Sequence, residues 1–204
     1  MKIVVISDTH IGSRQSNVTI DDIEKIITSE NPNLVVFNGD VIDLLVGKKS
    51  LEHLVDLKSR WFRTKTIFLD GNHDECYDEQ RLFLRVDGKL IWISHGHEYE
   101  NFLFRLIDPI TVKINELFIR MFGINMQKNI REGLVVQYPE GRFTPHLYKQ
   151  RQLAMKRFAI ADIVVCGHTH YGEVTKVGDK IYANCGCYGS YIVIENGEVS
   201  LMRK

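Results

Sequence analysis

With 204 residues, 44% of them hydrophobic and 25% charged, the chain has enough apolar material for a single domain with a substantial core. Its 26 basic and 26 acidic side chains cancel, which removes any global field for a stable nucleic-acid complex, and no run of eighteen uncharged apolar residues is present to span a bilayer. Four cysteines are too few for a disulfide framework at this size, and the Cys185-Gly186-Cys187 pair has no second pair to complete a metal site, so they read as small buried residues of a cytoplasmic protein.

Residues 2–7 open the chain as a strand, since four apolar residues running into Ser7-Asp8 are too short for a signal peptide. Similar runs rich in Val, Ile and Phe at 34–37, 66–69, 90–93 and 162–165 read as buried strands. Helices are expected at 19–30 and 50–60. Thr19 or Asp21 can cap the first, and Ile20, Ile23, Ile26 and Ile27 give it one apolar face. This alternation predicts an α/β fold with a parallel or mixed sheet covered by helices. Residues 98–160 break the pattern and read as a helical insertion within the 1–204 domain, with ten Lys or Arg against six Asp or Glu. There, Asp108-Pro109 has the chemistry of a helix start, with Asp as cap and Pro at the first position. Ile110, Ile114, Leu117, Phe118, Met121 and Phe122 follow on one face, and Gly123 supplies a stop. Thr144-Pro145 starts a second helix running to about residue 160, and 125–143 reads as loop. Short strands at 173–177, 180–183, 191–195 and 198–202, joined by tight turns, predict a second, antiparallel sheet packed on the first.

Six of the eight histidines, His10, His73, His95, His97, His168 and His170, sit immediately after the five apolar runs. Residues just past the carboxyl ends of parallel strands meet in one crevice. Asp8, His10, Asp40, Asn72, His73, His95, His168 and His170 are therefore expected to converge. Imidazole, carboxylate and amide oxygen together suit Mn, Fe or Zn, and the set is about right for two ions bridged by one carboxylate. Such a pair activates a water and neutralises the oxygens of a phosphoryl group. Gly39, Gly71, Gly96 and Gly167 are expected to let the chain turn sharply at the strand ends.

The ordered blocks Asp8-Thr9-His10, Gly39-Asp40-Val41-Ile42-Asp43, Gly71-Asn72-His73-Asp74, His95-Gly96-His97 and Gly167-His168-Thr169-His170 resemble the calcineurin-like metallophosphoesterase superfamily. The resemblance implies a four-layer α-β-β-α sandwich of two mixed sheets. It implies one metal held by Asp8, His10, Asp40 and His170, and a second held by Asp40, Asn72, His95 and His168, with Asp40 as the bridge. It also implies that His73 protonates the leaving group while Asp43 orients and charges His73. The expected activity is hydrolysis of a phosphodiester, phosphomonoester or pyrophosphate bond with two divalent transition-metal ions, Mn first and Fe or Zn next.

The expected substrate is a small phosphorylated compound, a class that includes nucleotides and lipid-linked phosphoesters. The His-Gly-His block, the insertion and its basic excess look similar to the UDP-diacylglucosamine pyrophosphohydrolase branch, whose insertion holds acyl chains. This chain departs from that branch in carrying His73 where it typically has Arg and His97 where it has Asp. Some relatives of the fold have lost metal ligands and act as protein-binding scaffolds, but every ligand position here is filled. Around the site, His97 reads as a substrate contact or a bond to a loop carbonyl, Asp74 as a helix cap or a support for the ligands, and Arg14 as a phosphate contact or a solvated loop residue. The apolar face of the insertion leaves three readings open: packing on the second helix and core, a homodimer contact, or a cap over a lipid-bearing substrate at the membrane periphery.

Overall fold

The structure is a computed structural model that describes residues 1–60, 64–77, 79–100, 102–126, 133–139 and 141–204. β1 (Lys2–Ile6), β2 (Leu34–Asn38) and β3 (Lys65–Leu69) pair in parallel, because runs without polar alternation can bury both faces. α1 (Ile20–Glu30) and α2 (Lys48–Ser59) make the two crossovers. Thr19 starts α1 with a reciprocal capping box to Asp22, and Ile20, Ile23, Ile26 and Ile27 are the face it buries.

The C-terminal strands do not form a sheet of their own, as the sequence pattern suggested. β11 (Ser190–Glu195) and β12 (Glu198–Arg203) extend the first sheet in the order β12-β11-β1-β2-β3. β9 (Glu173–Val177) and β10 (Lys180–Asn184) join a second sheet, β4-β5-β8-β10-β9, with β5 (Lys89–Ser94), β8 (Ile163–Cys166) and β4 (Arg81–Val86). β5, β8 and β10 run parallel, and β4 and β9 are antiparallel edges, so both sheets are mixed. β4 was absent from the sequence reading. Its signal is alternation, with Arg81, Phe83 and Arg85 exposed between less exposed Leu82, Leu84 and Val86, and an Asp87-Gly88 turn at positive φ leading into β5.

The sheets pack face to face through Ile3, Val5, Val36, Ile93, Val165, Ile181 and Ile192. On the outer side of the first sheet, Val4, Ile6, Val35 and Phe37 meet Ile23 and Ile27 of α1 and Leu57 of α2. On the outer side of the second, Trp92, Val164 and Tyr182 meet Ala154 of α4 (Pro145–Met155). The result is the four-layer sandwich, and it leaves the carboxyl ends of β1, β2, β3, β5 and β8 at one end of the molecule.

Residues 98–160 depart from expectation in three ways. α3 (Phe102–Phe122) begins before Asp108, so Pro109 lies inside the helix and Asp108 is not its cap. The stretch 125–143 contains a small hairpin of β6 (Val136–Tyr138) and β7 (Gly141–Phe143), while its residues 127–132 and 140 lie outside the described residues. α4 starts at the Thr144 cap as expected but ends at Met155 and tightens into a 3₁₀ turn, Lys156–Ala159. The apolar face of α3 points to solvent rather than into the core: Ile110 is 60% exposed, Leu117 51% and Phe122 59%. The inward side carries Asp108, Val112, Asn115 and Glu116, and the Glu116 carboxylate accepts from the Ser13 hydroxyl at 2.6 Å and from the Arg14 N–H at 3.1 Å. Among the described residues no helix is long and apolar enough to cross a membrane. Cys166 and Cys185 are buried as expected, Cys187 is half-buried and Cys76 is exposed.

Candidate metal centre

Beyond the strand ends, the β1 and β2 loops stay paired: the N–H groups of Asp8, His10 and Ile11 donate to the carbonyls of Gly39, Asp40 and Val41 at 3.1, 3.0 and 2.9 Å. Asp8, His10, Asp40, His168 and His170 all adopt left-handed backbone, with φ between 47° and 64°. Non-glycine residues adopt this conformation infrequently, Asp and His more readily than most, and five at one site mark a candidate functional centre. Two of the four predicted glycines turn as expected, Gly39 at φ +75° and Gly96 at +105°. The other two serve close approach: a Cβ on Gly71 would sit 2.1 Å from Asp40 Oδ1, and one on Gly167 2.3 Å from Asp8 Oδ2.

Asp40 is at the centre. Its Oδ1 accepts from the His73 N–H at 2.9 Å, and its Oδ2 lies 3.4 Å from His95 Nε2, 3.7 Å from His10 Nε2 and 3.8 Å from His73 Nε2. Asp8 accepts from the His168 N–H at 2.9 and 3.0 Å and lies 3.3 Å from His170 Nε2, which is itself 3.0 Å from His10 Nε2. His95 Nδ1 is 2.9 Å from the Asn38 carbonyl, an acceptor only, so Nδ1 donates there and Nε2 is the atom offered to Asp40 and, at 3.2 Å, to Asn72 Oδ1.

Asp8 and Asp40 are buried, and among the described residues no Lys or Arg ion-pairs with either. Burial pushes their carboxyls up, yet the facing histidines hold both below the usual carboxylate range, Asp40 well below it. Burial likewise pushes His95 down, but Asp40 and Asp8 pull it up to about 10. These carboxylates demand positive charge at the atoms the imidazoles present, and a divalent cation can supply it in place of protons. Three sets of side chains place ligand atoms close enough to hold an ion: Asp8, His10 and His170; Asp40, His95 and His168; and His10, Asp40 and His73. The donor set therefore fits metal binding.

Asp43 sits between two imidazoles, 3.1 Å from His73 Nδ1 and 3.4 Å from His10 Nδ1. Burial pushes its carboxyl up, but His10 and His73 hold it at about 2. Burial opposes charge on His73, yet Asp40, Asp108 and Asp43 raise it well above the ordinary imidazole value. Asp74 caps no helix. It is fully buried, and its two oxygens accept from the N–H groups of Asp40, Val41, Ile42 and Gly71 at 2.8–3.2 Å, which fixes the Asp40 loop from behind. His97 packs beside the rings of His95 and His168 and does not line the cavity; burial and the neighbouring His95 push it down to about 4. The Arg14 side chain is 59% exposed, with its Nε 3.9 Å from the Glu116 carboxylate.

Three residues at this centre escaped the sequence reading. Asp108 of α3 accepts from Asn72 Nδ2 at 2.7 Å and lies 3.5 Å from His73 Nε2. Glu100 lies between His168 Nε2 at 3.2 Å and His146 Nε2 at 3.3 Å, and the two imidazoles hold its carboxyl well below the usual range against its burial. Glu100 follows the His95-Gly96-His97 block by three residues, which was a usable signal. Asp108 and His146 sit at sequence positions that look like helix starts. These groups open onto a cavity of about 630 Å³ with a polar floor of Asp40, Asn72, His73 and His168 and an apolar wall of Val112, Leu134, Val135, Val136 and Leu147.

Fold and donor set together define a metallophosphoesterase type of sandwich, and solved structures share it. YfcE, a phosphoesterase from E. coli, superposes with a TM-score of 0.55 at 17% identity, covering 100% of this chain and 93% of that one. An archaeal phosphodiesterase gives 0.53 at 18% identity with both chains fully covered, and Vps29 from Entamoeba histolytica gives 0.53 at 17%, covering 100% and 98%. The sequence profile of calcineurin-like phosphoesterases matches residues 1–172, and the chain belongs to that family. A Bos taurus transmembrane protein with a metallophosphoesterase domain is 26% identical over 200 residues, 89% of this chain and 43% of that protein. An uncharacterized metallophosphoesterase of Aquifex aeolicus is 24% identical over 199 residues, 89% and 67%. The chain spans less than half the length of its bovine relative.

Proposed function

We propose that the protein is a dinuclear metal-dependent phosphoesterase acting on a phosphodiester, phosphomonoester or pyrophosphate bond of a small substrate. The reading rests on the buried Asp40 carboxylate, which faces three imidazole Nε2 atoms and, among the described residues, no Lys or Arg. Asp8, His10, Asp40 and His170 would hold one ion, and Asp40, Asn72, His95 and His168 the other, with Mn as the first choice and Fe or Zn as alternatives. When bound, the two cations supply an activated water and offset the charge on the phosphoryl oxygens. Asp8 and Asp74 keep the strand-end loops in register through their backbone contacts, so the ligand side chains are placed before substrate arrives. His73 presents Nε2 to the cavity as the proton donor for the leaving oxygen, while Asp43 receives its Nδ1 side and keeps the ring charged. The filled donor set argues against a purely protein-binding role.

The test is metal-stripped protein assayed against phosphomonoesters, phosphodiesters and nucleotide pyrophosphates, then reloaded with Mn²⁺. Activity should vanish and return, and Asp40→Asn should lose more bound metal and more rate than any other ligand substitution. Full turnover without metal sinks the reading.

A second, finer reading concerns where the enzyme works. The apolar cavity wall and the outward apolar face of α3 favour a lipid-linked phosphoester met by a cytoplasmic enzyme at a membrane surface. Exposed Lys113 and Arg120 flank that face, whereas the two acids of the helix, Asp108 and Glu116, are engaged with other parts of the chain. A second copy would meet the same basic rim; an anionic bilayer offers the opposite charge. The bovine relative, named as a transmembrane protein, is consistent with work at a membrane.

A further inference from the structure

Among the side chains assigned to the second ion, Asn72 differs from the His and Asp ligands in one respect: half of its terminal amide is a donor. Turned with its NH₂ toward a cation, the side chain repels the ion; turned the other way, it ligates. Nothing in Asn72 itself chooses between the two. Asp108 does. Its Oδ2 lies 2.7 Å from Asn72 Nδ2, and a carboxylate oxygen only accepts, so the amide nitrogen must be on that side. The amide oxygen then faces His95 Nε2 at 3.2 Å, inside the pocket. The contact reaches across 36 positions from α3, a helix outside the sandwich, and it uses a carboxylate that the local sequence would spend on a helix cap.

We infer that Asp108 is a positioning residue for the metal centre, locking the Asn72 amide with its oxygen toward the second ion; the inference rests on the dinuclear reading above. Residues 98–160 thus complete the centre rather than merely shelter it. Asp108 itself bonds the ligand and not the ion.

The experiment is Mn²⁺ titration of metal-stripped protein by calorimetry, with bound metal counted by mass spectrometry and folding followed by far-UV circular dichroism. Wild-type protein should take up two ions. Asp108→Leu should weaken one of the two by roughly 10–100-fold, the range for loss of a support behind a ligand, and leave the other unchanged. Asp108→Asn should recover most of that loss, because its amide oxygen can accept the same hydrogen bond. A reversed pair gives an independent check. Asn72→Asp alone sets two carboxylates against each other and should bind poorly, while Asn72→Asp combined with Asp108→Asn restores a donor facing an acceptor and should regain affinity. Wild-type affinity for both ions in Asp108→Leu overturns the inference while leaving the dinuclear reading intact, as does an Asp108→Asn protein no better than Asp108→Leu. Wild-type protein that takes up fewer than two ions overturns both.

Discussion

Replacing His73 with Ala, assayed on two classes of leaving group, separates proton donation from the charge of the same side chain. His73 is 10% exposed, and it faces Asp43 at 3.1 Å on one nitrogen and Asp108 at 3.5 Å and Asp40 at 3.8 Å on the other. On the proposed mechanism, its removal takes two things from the transition state. One is a positive charge near the phosphoryl group, worth about 4 kcal/mol for unit charges at ~4 Å and an effective dielectric constant of ~20. The other is the proton for the leaving oxygen, worth roughly 10²–10⁴ in rate, or about 2.7–5.4 kcal/mol. The charge loss is common to all phosphoesters. The proton matters only where the leaving group is a strong base, as an alkoxide is and a nitrophenolate is not. The ratio of the two losses in kcat/KM therefore isolates acid catalysis from electrostatics. His73→Ala should keep both metals, lower kcat/KM on both classes, and lower it a further ~10²–10⁴-fold on the alkyl ester. Equal losses on alkyl and nitrophenyl diesters remove His73 from the acid role and leave it a charge that positions phosphate.

Two further perturbations test the scaffold and the surface. Gly71→Ala should cost about 1–3 kcal/mol or more and reduce Mn uptake, since its Cβ would lie 2.1 Å from Asp40 Oδ1, whereas Gly178→Ala, with nothing within 4 Å, should leave uptake unchanged; a Gly71→Ala protein with wild-type melting temperature and metal content contradicts the packing described. Ile110→Ser with Leu117→Ser should weaken sedimentation with anionic vesicles by about tenfold or more while sparing hydrolysis of a water-soluble ester, and wild-type protein that ignores such vesicles refutes the membrane reading.

The strands that carry the site were legible because buried parallel strands have no polar alternation to confuse, and each ended at a block of His, Asp and Gly. Their convergence followed from strand direction alone. What the sequence could not show was which sheet each strand joins. β9 to β12 look alike as hairpin strands, and only the chain between Cys185 and Gly189, turning at Gly186 and Gly189 with positive φ, carries them from one sheet to the other. Local chemistry was misleading where long-range partners won. Asp108-Pro109 has the composition of a helix start and Asp74 that of a cap, yet the first bonds Asn72 and the second bonds the backbone of four residues around Asp40. A buried N–H without an acceptor costs more than an exposed helix end, so the tertiary demand takes the carboxylate.

The same competition decides which way α3 faces. Helical spacing identifies the apolar face of a helix but not whether its own chain covers it. Ile110, Ile114, Leu117, Met121 and Phe122 are 45–60% exposed, and burying the remaining half of each would contribute roughly 0.8–1.4 kcal/mol per side chain, about 4–7 kcal/mol together. Against this stand the inward contacts of Asp108 with Asn72, Glu116 with Ser13 and Arg14, and Asn115 with the Met126 N–H at 2.8 Å. Hydrogen bonds to charged groups contribute about 1.5–3 kcal/mol each, which is enough to hold the polar side inward. Rotating the helix by half a turn would cover the apolar stripe, but it would also withdraw Asp108 from Asn72 and Val112 from the cavity. The orientation thus serves the candidate metal centre first and leaves an exposed face beside the cavity. A surface that covers this face gains the 4–7 kcal/mol that the fold itself forgoes, which is why the vesicle experiment and the metal titration probe two sides of one helix.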